Sequence, residues 1–225
     1  METLWRAEDV RELDRRMVED TGLPGAALME LAGAGAVALI RDRYPGARRI
    51  AVVCGPGNNG GDGFVVARRL LDAGLDAWLV LAAPVERFRG DAATMLHVAT
   101  ALDVPQRTDL VGAELVVDAL LGTGASGAPR EAVARWIDRI TQHAVPVVAL
   151  DVPSGIDATT GVVPAGAIHA SLTISFHGRK LGTAIEPGRS HAGHVVTVPV
   201  GLPRALEPPP FALAVDASDL RTLPA

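Results

Sequence analysis

Apolar positions recur with a helical period over residues 7–20, where Val10, Leu13 and Met17 share one face. After Gly22 and Pro24 the period resumes through Leu28, Leu31, Ala32, Gly35 and Leu39, so two helices are expected ahead of the first strand. Residues 50–54 break that rhythm with a short apolar, β-branched run that ends in Gly-Pro-Gly, and helical spacing returns over 64–71. The same alternation repeats twice. Strands are predicted at 78–82, 115–121 and 147–152, with helices at 91–102 and 130–143 between them. Strands alternating with helices imply a mostly parallel, doubly wound sheet with helices on both faces, a three-layer α/β/α domain. Beyond Gly161 the pattern shortens to strands at 172–176 and 194–200, expected to extend the sheet at one edge. From Pro203 the text turns proline-rich, with Pro208, Pro209 and Pro210 in a row. The expected organisation is one domain over 1–202 and a tail or linker over 203–225.

Composition narrows the function. A chain of 225 residues, 48% hydrophobic, can bury one substantial core. Its formal net charge of −5 disfavours a nucleic-acid or anionic-membrane partner, so an anionic ligand has to be held by local groups such as backbone amides. No apolar run approaches the roughly 20 residues needed to span a bilayer. The first residues mix acids and bases, unlike a secretory signal, and a cytoplasmic protein is expected. The single cysteine, Cys54, lies in an apolar run and is expected to be an ordinary buried thiol. Of 21 basic residues, Lys180 is the only lysine.

In open α/β sheets ligands bind beyond the carboxyl ends of the strands, and three segments fall there. The first is Gly55-Pro56-Gly57-Asn58-Asn59-Gly60-Gly61-Asp62-Gly63, a G-x-G-x-x-G run between a strand and a helix, as a phosphate-cradling turn requires. The second predicted strand ends Leu81-Ala82-Ala83-Pro84, without the acid that an ordinary dinucleotide fingerprint places against the ribose hydroxyls. The second segment runs from Val116 through Asp118 to Gly127. An ionised Asp118 in an apolar strand needs a cation or several hydrogen-bond donors, and an oxygen-ligated hard ion suits it better than zinc. Backbone amides or an arginine would also satisfy it. Arg130 opens the next helix, where a cation opposes the helix dipole, so it is either a phosphate contact or a solvated arginine. The third segment, Asp151-Val152-Pro153-Ser154-Gly155-Ile156-Asp157, puts a carboxyl at a strand end. That is the place for an acid/base residue, or for a cap on the following turn. His191 and His194 lie in a glycine-containing loop with no third ligand nearby, a poor zinc site.

Together, Val53 to Gly63, Val117 to Gly124 and Leu150 to Asp157, with Leu28-Met29-Glu30-Leu31-Ala32-Gly33 and Phe176-His177-Gly178-Arg179-Lys180-Leu181-Gly182, resemble the NAD(P)H-hydrate epimerase family, also called the YjeF N-terminal domain. The resemblance spans about residues 7 to 202. It implies a Rossmann-like fold, a homodimer, and an isomerase of nicotinamide nucleotide repair that interconverts the R and S epimers of hydrated NADH or NADPH (NADHX and NADPHX). By the same likeness Asn58, Asn59, Gly60, Gly61, Asp62, Gly122, Thr123, Gly124, Ala125, Ser126, Gly127, Ala128 and Asp151 would contact substrate. Asp151 would be catalytic, and Asn59, Asp118 and Ser154 would hold one potassium ion. No redox cofactor is implied. A functional partner would be an ADP- or ATP-dependent dehydratase acting on the S form, often fused to this domain, so the chain fits one part of a longer protein.

The substrate's chemistry asks for little. Protonating the hydroxyl on carbon 6 lets the ring nitrogen expel water and leaves a planar iminium that water can re-enter from either face, whereas ring opening and reclosure would use the same groups. Two other readings compete: a dinucleotide-dependent oxidoreductase, disfavoured by the missing acid, and a non-catalytic nucleotide- or RNA-binding interaction module of the same fold.

Overall fold

The computed structural model describes residues 2–209 and 211–215, Arg204 by its backbone alone. In chain order the elements begin β1 (Glu2–Trp5), α1 (Ala7–Thr21), α2 (Gly25–Arg43), β2 (Arg49–Cys54), α3 (Asn58–Asp72), β3 (Asp76–Leu81) and α4 (Gly90–Ala101). They continue β4 (Leu115–Ala119), α5 (Glu131–Gln142), β5 (Val147–Leu150), β6 (Leu172–Phe176), β7 (Arg179–Lys180), α6 (Gly188–Ala192), β8 (His194–Val198) and β9 (Ala212–Ala214). Six strands form a parallel sheet in the order β3-β2-β4-β5-β6-β8. Their apolar runs are continuous because both faces are covered. Ile50, Val52 and Cys54 pack with residues of α2, α3 and α4, while the alternate Ala51 and Val53 pack with Val133, Ile137 and Ile140 of α5. This is the three-layer α/β/α arrangement that the alternation predicts, and β6 and β8 extend the sheet at one edge as expected.

Sheet order positions the site. The chain winds from β2 outward to β3, then returns to lay β4 against the other side of β2. The topology therefore reverses between β2 and β4, and the connections leaving these strands diverge to open a crevice at their carboxyl ends.

Several boundaries differ from the sequence reading, each for a physical reason. Helix α3 begins at Asn58, not at 64, so most of the glycine segment is the first turns of a helix. Its glycines answer close approach: an added Cβ would lie 1.8 Å from the Gly55 carbonyl oxygen at Gly60 and 2.6 Å from the Ala119 Cβ at Gly63. Strands β4 and β5 stop at Ala119 and Leu150, short of the expected 121 and 152, because the following residues turn into the crevice. A second sheet of order β7-β1-β9, with β1 parallel to β7 and antiparallel to β9, was not expected at all. Its strands have 4, 2 and 3 residues, too short for an alternation to register. Through β9 the expected tail returns to the domain, and Leu202 and Leu206 pack against Trp5, Val10 and Leu13. Residues 216–225 of that segment lie outside the described residues. Among the described residues no helix is long and apolar enough to cross a membrane.

The close packing of α3 on the sheet gives a direct test. Gly63→Ala places a methyl against Ala119, Cys54 and Val52 with no side-chain end free to swing away. Urea unfolding should show a loss of about 1–3 kcal/mol. A midpoint equal to that of the wild type would contradict the packing.

Candidate active site

The crevice is a cleft of about 890 Å³ whose walls come from α1, the start of α2, the first turn of α3 and the segments after β4 and β5. Asn58, Asn59, Asp62, the whole run Gly122 to Ala128, and Asp151 line it, as does Arg130. Gly60 and Gly61 do not. Their amides point into the helix toward the Gly57 carbonyl, and they are packed beneath the floor against Gly55 and Met29. Asp118 and Ser154 also sit below the cleft, fully buried.

The floor is organised around Asp151. This residue follows β5 with φ of +67°, the left-handed region that costs a non-glycine residue about 1–3 kcal/mol and recurs at functional sites. The turn swings its carboxyl into the cleft, and both oxygens are engaged. Oδ1 forms an ion pair with Lys180 Nζ, and Oδ2 accepts a hydrogen bond from the Thr123 amide at 3.0 Å. Asp151 is thus not a cap for its own turn. It joins the segment after β4 to the ammonium group of the chain's single lysine.

Lys180 has no solvent exposure, and its Nζ also donates to the Phe176 carbonyl at 2.6 Å. The second sheet holds it there, since Lys180 on β7 pairs in register with Trp5 on β1. The uniqueness of this lysine hints at a role from sequence alone, but its partner lies far along the chain and only the fold brings the two together.

Two more carboxyls face the same ammonium. Asp62, half-buried on α3, is held well above the usual carboxylate range, first by desolvation and then by the nearby Asp151 and Asp14, with Lys180 opposing. Asp14 on α1 lines the cleft wall and stays exposed there; the surrounding protein nonetheless pushes its carboxyl up to about 6, first by desolvation, with Lys180 opposing and Asp151 adding to the rise. Asp14 lies one turn after the buried Val10 on the same side of α1, so an acid within that apolar stripe was a signal the sequence reading passed over.

Beneath the floor, Asp118 is matched in register with Val53 of β2 and Ala149 of β5. No arginine reaches it among the described residues. Its oxygens accept from the Leu120 amide at 3.1 Å, the Ser154 amide at 2.9 Å and the Ser154 hydroxyl at 2.7 Å. Burial nonetheless lifts its carboxyl to about 6. Asn59 bridges across, donating from Nδ2 to the Leu121 carbonyl at 2.8 Å and the Leu150 carbonyl at 3.3 Å. Its Oδ1 is buried without a hydrogen-bond partner. Gly122 is fixed between these groups, for a Cβ there would lie 3.1 Å from Asp151 Oδ2 and 3.2 Å from the Asn59 Cβ. His177 lines the cleft, whereas His191 and His194 do not: His191 stacks on His169 at 3.9 Å, and no group of three or more His, Cys, Asp or Glu among the described residues is arranged to hold a metal ion.

A family model described as YjeF-related protein N-terminus matches residues 25–182. The bifunctional NAD(P)H-hydrate repair enzyme of Thermanaerovibrio acidaminovorans is 43% identical over 211 residues, which cover 88% of this chain and 41% of that protein. This chain thus spans about two fifths of that relative's length. The NAD(P)H-hydrate epimerase of Pirellula staleyi is 37% identical over 208 residues, covering 87% of this chain and 91% of its own. A yeast protein of known crystal structure superposes with a TM-score of 0.73 at 23% identity, covering 86% of each chain, a likeness of fold.

The buried pair at the cleft floor makes a sharp prediction. Lys180→Met removes the enclosed partner of the largely buried Asp151 carboxylate, which should cost up to about 3–5 kcal/mol in denaturant unfolding. Adding Asp151→Asn should recover part of that loss. Lys180→Arg should not substitute, because a planar guanidinium exceeds the space of a fully enclosed ammonium. Wild-type stability in Lys180→Met would refute the pairing.

Proposed function

The chain belongs to the family of YjeF-related protein N-termini, and from that membership together with the cleft we propose that it is an NAD(P)H-hydrate epimerase, interconverting the R and S epimers of hydrated NADH and NADPH. One observation carries the reading. An ion-paired carboxylate, Asp151, stands at the topological switch point of a doubly wound sheet, in a cleft of about 890 Å³ flanked by two glycine segments. Such a cleft is within the size range of small-molecule and cofactor sites. Exposed Gly124 and Ser126 to Ala128, with the start of α3, offer backbone amides to a pyrophosphate, with Arg130 at the rim.

The epimerisation needs no net oxidation or reduction. A proton passes to the hydroxyl on the carbon beside the ring nitrogen, the C–O bond breaks as the nitrogen lone pair forms C=N, and water departs. Water then adds to the other face and gives up a proton. Asp151 is the proposed proton-transferring group: as the carboxylate of its ion pair it accepts from incoming water, and once protonated it gives to a departing hydroxyl. Lys180 orients it, and the Thr123 amide holds its second oxygen against the loop that would cradle the substrate. Gly60 and Gly61 serve the reading indirectly, Gly60 by letting the α3 terminus close on Gly55 after β2 and Gly61 by letting it close on Met29 of α2 and Ala92 of α4.

A potassium ion fits the layer below. The unpartnered Asn59 Oδ1 is a buried oxygen in want of a positive partner, and Asp118 and the Ser154 Oγ are oxygen donors suited to a hard cation. Bound there, it would supply a fixed positive charge offsetting Asp118 and stiffening the turn at Gly122. Crystals soaked in rubidium or thallium salts should show an anomalous peak among these three residues. A peak-free site would remove the ion from the account.

The decisive assay supplies R-hydrate to the purified protein with an S-specific dehydratase. The R form should be consumed, and Asp151→Asn should lower the rate by about 10²- to 10⁴-fold while the protein remains folded. Near-normal turnover in the folded variant would exclude Asp151. No turnover by the wild type would overturn the epimerase reading.

A further inference from the structure

Helix α1 carries six acidic residues, and the structure treats one differently. Glu8 and Asp9 pair with Arg6, Glu12 and Glu19 with Arg15, and Asp20 with Arg16. Asp14 makes no ion pair or side-chain hydrogen bond among the described residues, and it faces the cleft. The neighbouring Arg11 does not answer it either, since its Nη1 spans to the Thr123 carbonyl at 2.7 Å and ties α1 to the segment after β4. Placement is the second observation. Asp151 stands at the end of β5 and Asp14 on the α1 wall of the same cleft, and both lie near the enclosed Lys180 ammonium.

Inverting a centre through a planar intermediate requires a proton to be handled on both faces of the ring. A carboxyl fixed by Lys180 and the Thr123 amide cannot follow the reacting oxygen from one face to the other. We propose that Asp14 is a second catalytic residue of the epimerisation, transferring the proton on the substrate face turned toward α1 while Asp151 serves the face turned toward the sheet.

This inference rests on the epimerase reading. In one direction protonated Asp14 gives its proton to the hydroxyl on its face, the C–O bond breaks and water leaves. Solvent water then bonds to the carbon from the sheet side and passes a proton to the Asp151 carboxylate. The reverse direction exchanges the roles, and the two carboxyls return to their starting states by exchange with water through the open cleft. Near neutral pH a carboxyl lifted to about 6 supplies both forms. Asp14 lies outside residues 25–182, the part of the chain that the family model matches.

The test follows R-to-S conversion and incorporation of ¹⁸O from labelled water into each epimer, beside thermal unfolding. The wild type should convert the epimers and label both. Asp14→Asn should convert about 10²- to 10⁴-fold more slowly yet still label one epimer, the one whose hydroxyl faces Asp151, because loss and return of water on that face remain possible. Its melting temperature should hold or rise, since no partner is lost, and Asp14→Glu should recover part of the conversion. Unchanged conversion in Asp14→Asn, or conversion and both labellings falling together, would overturn the proposal. A wild type that converts neither epimer would instead overturn the epimerase reading itself.

Discussion

A lysine ammonium with no access to solvent must be matched by charge and hydrogen bonds, and most of the cleft follows from how Lys180 is matched. Its partners are the Asp151 carboxylate and the Phe176 carbonyl, so the end of β5, the end of β6 and the strand β7 must converge. Convergence puts Asp151 in a left-handed conformation that it would not adopt alone. The other carboxylate oxygen then captures the Thr123 amide and draws in the segment after β4. The small second sheet has the same origin, for β1 pairs with β7 at the position of Lys180 itself. The N-terminal strand, α1 and the segment through β9 are thereby bound to the chemistry, and α1 reaches the segment after β4 through Arg11 and the Thr123 carbonyl.

Below that layer lies a second buried polar network with a different logic. Asp118 is satisfied by two amides and a hydroxyl, yet Asn59 Oδ1 has no partner. A half-satisfied network at full burial is costly unless something completes it, which is the physical ground for an ion there. Gly122 separates the two networks, wedged between Asp151 and Asn59, where a side chain would press on both.

The central strands were legible because burial on both faces makes them unbroken apolar runs, and residues 172–176 coincide with β6. The start of α3 was not, since its glycines signal a turn in sequence while packing against Gly55, Met29 and Ala119 makes them helical. Strands β1, β7 and β9 are too short to announce themselves. Among site residues, Asp118 and Asp151 were legible as carboxyls where a strand should be apolar or end. The uniqueness of Lys180 drew notice without revealing its partner. Asp14 was missed although its place one turn after Val10 sets an acid within the apolar side of α1; periodicity marks the position as unusual but does not say that it borders a ligand cleft.

Because Lys180 is the only lysine, labelling the protein with ¹⁵N-lysine yields a single side-chain signal, and no assignment is needed to read the ion pair. The account predicts an ammonium resonance in slow exchange with water at neutral pH, shifted when Asp151 is replaced by Asn. A signal lost to rapid exchange, or one indifferent to Asp151→Asn, would contradict the enclosed pair on which the cleft is built.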